Sequence, residues 1–277
     1  MNDLAHEPPA AALSAAGCRG EAPTPGPWNA VIEQMLAHRS VRAYLPNPVT
    51  PAQLERIIAA AQSAATSSNL QAWSVVAVQD PDRRDRLATL AGGQRHIREA
   101  PLLLVWLADL ARLSAIATAR GSAAEGLDYL ELFMVAIIDA ALAAQNAAVA
   151  LESLGLGCVY IGAIRNNPEK TAAELGLPPL VFPVFGLCVG TPDPARPTAI
   201  KPRLPQPVVL HREQYSTAAA ASEIAKYDVK LAGFQAEQGM PPEVWTERVT
   251  SRVATPEALT GRHRMREALG NLGFALK

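Results

Sequence analysis

Cysteine is nearly absent: Cys18, Cys158 and Cys188 are the only three in 277 residues. They form no CxxC pair and leave an odd one over, so no disulfide framework is indicated and a reducing cytoplasm is the expected setting. Charge is also scarce, at 18% of residues, and balanced, with 25 Lys and Arg against 26 Asp and Glu. The net charge of −1 leaves no electrostatic footprint for nucleic acid. No run of about 18 to 20 residues is uninterruptedly apolar, as a membrane span requires. The nearest approach, 132–151, is broken by Asp139, Gln145 and Asn146, so no membrane partner is expected. Signals of hydrolytic and metal chemistry are missing too. There is no GxSxG elbow, and His6, His38, His96, His211 and His263 are scattered without HxxxH spacing. Gly155-Leu156-Gly157 follows a helical stretch and precedes an extended one, the reverse of the order a dinucleotide fingerprint needs. These absences leave the chemistry to a bound cofactor, with no catalytic side chain and no metal site assigned.

What is present is a chain with 49% hydrophobic residues, long enough to bury a substantial core in one large domain or two small ones. Residues 1–27 are rich in Ala, Pro and Gly and are expected to be a disordered extension. Ala15-Ala16-Gly17-Cys18 loosely resembles a lipoprotein cleavage site, but Asp3, His6 and Glu7 stand where a basic region belongs. Residues 28–277 then carry the folded domain. Thr50-Pro51-Ala52-Gln53 opens a helix with a capping box and proline at its first position, and Leu54, Ile57, Ile58 and Ala61 share one face. Strands are expected over 73–78, 101–107, 158–161 and 181–189, with a short helix at 81–90 and another opened by Asn167-Pro168. From Leu127 to Leu154 the pattern is helical and apolar nearly all round, which places a long helix in the interior. Six prolines between Pro192 and Pro207 enforce an extended connection, and amphipathic helices return at 220–237 and 256–270. This order predicts an α+β fold, a central sheet flanked by helices with a long buried central helix, and a C-terminal helical excursion.

Two basic clusters stand out against the low charge. His38-Arg39-Ser40-Val41-Arg42 and Lys201-Pro202-Arg203 mix guanidinium forks, an ammonium, a hydroxyl and an imidazole, the donor set that a dianionic phosphate takes. Thr66-Ser67-Ser68-Asn69-Leu70-Gln71 is a polar loop after a well-capped helix, and its amides offer donor and acceptor together to a ring bearing imide-like groups. In Tyr160-Ile161-Gly162-Ala163 the last two residues carry almost no side chain, so their N–H groups are able to approach a flat ligand closely.

Taken together, HRSVRAY, SSNLQ, GGQRH, ESLGLGCVYIGAIRNNP, FGLCVGTP and KPRLP occur in an order and spacing that resembles the FMN-dependent nitroreductase superfamily, over about residues 28–275. The likeness is greatest to its NADPH-specific branch of oxygen-insensitive nitroreductases and flavin reductases. The resemblance implies a nitroreductase-like, homodimeric fold with a mixed or antiparallel sheet and non-covalent FMN. It matches His38, Ser40, Arg42, Lys201 and Arg203 to phosphate and ribityl contacts, and Arg39 to the pyrimidine end of the flavin. Thr66, Ser67, Ser68, Asn69, Gln71 and Gln94 match polar ring and ribityl contacts, while Tyr160, Ile161, Gly162 and Ala163 line the ring beside N5. Arg262 matches a contact to the extra phosphate of NADPH. Two positions depart from the pattern: Asn69 stands where a bulky apolar residue is common, and Ala163 where a second glycine is. The implied activity is ping-pong hydride transfer from NADPH to a nitroaromatic, a quinone or free flavin. Enone reduction, dehalogenation, flavin fragmentation and a non-catalytic FMN-binding role remain open on the same fold.

Overall fold

Four apolar runs rich in branched and aromatic residues form the sheet of the computed structural model, which describes residues 27–277 and Gly17. The expected extension over residues 1–27 lies outside the described residues, Gly17 and Pro27 apart. In chain order the elements are α1 (Ala30–Leu36), α2 (Pro51–Gln62), β1 (Trp73–Val78), α3 (Pro81–Leu90), α4 (Arg95–Glu99), β2 (Leu102–Asp109) and α5 (Ala111–Ala119). There follow α6 (Leu130–Ser153), β3 (Gly157–Ile161), α7 (Pro168–Leu175), β4 (Val181–Gly190), α8 (Gln206–Val209), α9 (Ala220–Glu237), α10 (Trp245–Val253) and α11 (Met265–Asn271). The chain divides into two compact units. One is the described part of Met1–Arg39 with Thr198–Leu259, and the other is Ser40–Pro197 with Thr260–Lys277.

The larger unit is built on the order β1-β2-β4-β3, every neighbouring pair antiparallel. All eight residues of β2 are buried, because the strand is central and covered on both faces. Opposite it, the ladder slips between Trp106 and Leu107, whose partners are Phe185 and Pro183, so Val184 is the extra residue of a β-bulge. Where β3 begins and β4 ends, Gly157 and Gly190 permit close approach. A Cβ on Gly157 would lie 2.6 Å from Val41 Cγ2, and one on Gly190 the same distance from Pro101 Cδ.

Helix α2 starts as its sequence dictates: the Gln53 N–H donates to Thr50 Oγ1 at 3.2 Å, the Thr50 N–H donates back to Gln53 Oε1 at 3.0 Å, and Pro51 opens the first turn. Its Ile57 and Ala61 are buried. The expected helix over 127–154 is α6, preceded by a 3-10 turn at Glu125–Asp128. It is long and apolar enough to cross a membrane, yet its small residues Ala136, Ala140, Ala143, Ala144, Ala147 and Ala148 are buried, packing α6 against α2 and β2. The expected interior position holds along this alanine side. Leu130, Met134, Ile138 and Leu142, four residues apart on one stripe, are 43–52% exposed.

In the smaller unit Trp28 packs with Leu36. The Tyr227 and Trp245 rings meet edge to face at 5.5 Å. Asp228 accepts from the Thr246 N–H at 3.0 Å and its hydroxyl at 2.7 Å, which starts α10. That helix was not expected. The single helix expected over 256–270 is instead two 3-10 turns, Glu257–Leu259 and Arg262–Arg264, followed by the shorter α11. Gly261 at φ +83° is the cause, since that left-handed conformation ends any helix running through it.

Candidate active site

The segment after Arg39 alternates. Val41, Ala43 and Tyr44 are buried while Arg42 is exposed. The alternation is held by pairing, because Ser40 bridges Cys158, the Val41 N–H donates to Cys158 O at 2.8 Å, and Tyr44 bridges Pro192. The Tyr44 hydroxyl donates to Val41 O at 2.6 Å, and its burial pushes the phenol pKa far up, so it is a fixed donor. Arg42 thus projects from an edge locked to β3. Its charge reaches His96, whose imidazole is held below its usual range by burial first and by Arg42 second, with Glu99 opposing. Gln94 stands at the N-cap position of α4 just before, after Gly92 and Gly93 in left-handed turns. Both described cysteines are free and buried; burial pushes Cys158 far up and Cys188 up to about 12, so neither is a reactive thiolate.

The polar loop is sharply shaped. Ser68, Asn69 and Gln71 have φ of +48°, +55° and +51°, a conformation that costs most residues energy and suits asparagine best. Ser67, Ser68, Asn69 and Gln71 are exposed, and Gln71 Nε2 donates to Asn69 Oδ1 at 3.3 Å. The inward side is tied to α6: Asp139 accepts from the Thr66 hydroxyl at 2.6 Å, the Ser67 N–H at 3.2 Å and the Ala72 N–H at 3.0 Å. The loop exit is tied to α5. Arg112 donates to Gln71 O at 2.5 Å and Trp73 O at 2.8 Å, and Asp109 accepts from the Ser74 hydroxyl at 2.5 Å.

At the end of β3, Tyr160 is exposed and lies edge to face on Phe185 at 5.3 Å, while Ile161 is buried. The chain then turns through a 3-10 segment, Gly162–Asn166. Here two arginines crowd. A Cβ on Gly162 would lie 3.6 Å from Arg165 Nη2 and 3.8 Å from Arg262 Nη1. Burial lowers the pKa of Arg165, and the charge of Arg262 lowers it further. Arg165 is anchored by donating to the carbonyl of Val184, the bulge residue whose position in the β4 ladder has no facing partner. The bulge therefore aims a carbonyl at a half-buried guanidinium, as bulges beside functional sites do.

The remaining sequence candidates, His38, Arg39, Lys201 and Arg203, belong to the smaller unit. There Pro202 is buried between exposed Lys201 and Arg203, and its carbonyl accepts from the Tyr227 hydroxyl at 3.2 Å. Arg203 Nη1 donates to Lys201 O at 3.0 Å. Sequence reasoning missed Asp139, Arg112 and Arg165. For Asp139 the signal was present, since a lone carboxylate inside an apolar helix is rarely buried without partners.

Known proteins similar to this chain are plentiful. Residues 35–191 match the model of the nitroreductase family and residues 201–277 that of the nitroreductase family C-terminal domain. An FMN reductase (NADPH) of Bacillus subtilis is 38% identical over 226 residues, covering 80% of this chain and 90% of that one. An oxygen-insensitive NADPH nitroreductase of Salmonella typhimurium is 41% identical over 220 residues, covering 79% and 88%. Among solved structures, NfrA2 of B. megaterium superposes with a TM-score of 0.84 at 37% identity over 90% of this chain and all of that one. The NADPH:FMN oxidoreductase of Vibrio harveyi complexed with NAD+ gives 0.79 at 34% identity, covering 90% and 100%. The chain belongs to the nitroreductase family.

Proposed function

We propose that this protein is an FMN-dependent NADPH oxidoreductase whose acceptors are nitroaromatics, quinones or free flavin. The observation that carries the reading is the end of β3, where the small residues Gly162 and Ala163 open a 3-10 turn and Arg165 and Arg262 lie beside Gly162. The donor set fits FMN: exposed amides at Asn69 and Gln71 suit the ring's imide edge, and Arg42 with Ser40 suits a phosphate and its ribityl chain. In this reading His38, Lys201 and Arg203 join Ser40 and Arg42 on the phosphate and ribityl chain, and Arg39 meets the pyrimidine end. Thr66, Ser67, Ser68 and Gln94 add polar contacts, and Tyr160 and Ile161 line the ring beside Gly162 and Ala163. The Thr66 hydroxyl already donates its proton to Asp139, so it meets the flavin as an acceptor.

FMN held by these residues would supply two-electron chemistry between a reduced nicotinamide and an acceptor. The protein contributes position and charge, and no side chain is required as acid or base. Backbone N–H groups at Gly162 and Ala163, with the neighbouring Arg165, would stabilise negative charge developing at a ring held there. The exposed stripe Leu130, Met134, Ile138 and Leu142 supports a homodimer, because an apolar helix face of this length is seldom left to water. Low charge and buried thiols are consistent with a cytoplasmic setting.

Arg262 is assigned to the donor's extra phosphate. A group carrying nearly two charges should favour NADPH over NADH by roughly 1–3 kcal/mol at modest salt, and the preference should shrink as salt rises. Specificity constants for both nucleotides, in the wild type and in Arg262→Ala, check this; equal constants in the wild type would defeat the assignment. Anaerobic titration of the purified protein tests the function as a whole. The expected protein is yellow, releases FMN on denaturation, is bleached by NADPH and regains its colour with a nitroaromatic or quinone. FAD, no flavin after reconstitution, or a flavin that NADPH leaves oxidised would overturn it.

A further inference from the structure

We propose that Asp139 is a positioning residue that presets the Thr66–Ala72 loop for the ring end of the flavin, an inference that rests on the FMN reading above. Asp139 is 1% exposed, in the middle of a helix face otherwise made of alanines and other apolar residues. For helix packing alone an apolar residue there would spare the desolvation of a carboxyl group. What the carboxyl does instead is collect the loop's donors, the Ser67 and Ala72 N–H groups and the Thr66 hydroxyl.

The bonds run on into the loop. With its proton directed at Asp139, the Thr66 oxygen accepts from the Gln71 N–H at 2.9 Å. Asp139 therefore fixes Gln71 through Thr66, and Gln71 is one of the residues held at positive φ. Such backbone persists only where the surroundings over-determine it. The geometric result is a division of labour. Backbone donors turn inward to the carboxyl group, while the side chains of Ser67, Ser68, Asn69 and Gln71 turn out to solvent. The Gln71 to Asn69 amide contact aligns the pair and leaves the other half of each amide for a ligand. A loop ordered before binding spares the ligand the cost of ordering it.

Titration of apoprotein with FMN and with riboflavin, which shares the ring but lacks the phosphate, tests this. Asp139→Asn keeps the volume but replaces one acceptor with a donor facing inward N–H groups. It is expected to weaken both flavins by about the same factor, roughly tenfold, so that the FMN to riboflavin affinity ratio keeps its wild-type value. Arg42→Ala should instead collapse that ratio. Wild-type affinity for both flavins in Asp139→Asn overturns the inference, and so does a collapsed ratio, which would mean general loosening. A wild type that binds neither flavin overturns the FMN reading itself, a separate result. If Asp139→Asn does not fold, hydrogen exchange in the wild-type apoprotein decides. Ser67, Gln71 and Ala72 amides should be protected before flavin is added and gain little on binding. Rapid exchange there without flavin would refute a preset loop.

Discussion

Trp106→Ala is expected to lower the free energy of unfolding by about 3–5 kcal/mol, the usual cost of removing a large aromatic from a packed core. Trp106 is 0% exposed on the central strand, lies 5.5 Å from the Trp73 ring, and packs in the cluster formed with Ala143, Ala144 and Ala147 of α6. Alanines on the helix side have no length with which to fill the hole, so the site collapses poorly and the cavity cost stays high. For a domain of this size the loss corresponds to a fall in Tm of roughly 10 °C. Chemical denaturation with unchanged slope and a lower midpoint is the expected record. An unmoved midpoint would contradict the packing of α6 on β2.

The largest expected effect on ligand binding is at Arg42. Arg42→Ala should weaken FMN by roughly tenfold to a hundredfold, the loss of about 1.5–3 kcal/mol that follows when a charged hydrogen-bonding partner is removed. Stability should change little, because Arg42 is exposed and the segment is held by Val41, Tyr44 and their pairings with β3 and Pro192. Arg42→Lys should recover part of the affinity, since charge is kept while the fork is lost. Fluorescence titration with FMN reads all three proteins. Equal affinities would return this cluster to the solvated surface and withdraw the phosphate assignment.

The readable parts of this chain were those whose signal is local. Thr50, Pro51 and Gln53 specify a helix start among themselves, and the structure has that capping box. The strands at 73–78, 102–109, 157–161 and 181–190 fall within two residues of where branched and apolar runs placed them. The family motifs were legible for the same reason, being short runs in a fixed order. Helix α10 escaped because its sequence is mostly polar, though Trp245, Val249 and Val253 repeat every four residues. The 256–270 stretch misled because an amphipathic pattern says nothing about one glycine choosing a left-handed turn.

By itself the sequence determined most of the elements, the α+β class and the presence of donors of the kind a phosphate and a flat polar ring take, since these follow from periodicity, capping and donor chemistry along the chain. Only the tertiary structure decided what Asp139, Arg112 and Arg165 do. Their partners lie 67 to 73 residues away for Asp139 and 38 to 41 for the side-chain bonds of Arg112, while Arg165 answers a carbonyl freed by a bulge in a strand 19 residues on. It also decided that α6 is apolar on two faces for two reasons, alanines for close packing within the chain and larger side chains left at the surface. A hydrophobic count does not separate these, because it weighs each residue alone, whereas burial depends on which neighbours the fold brings against it.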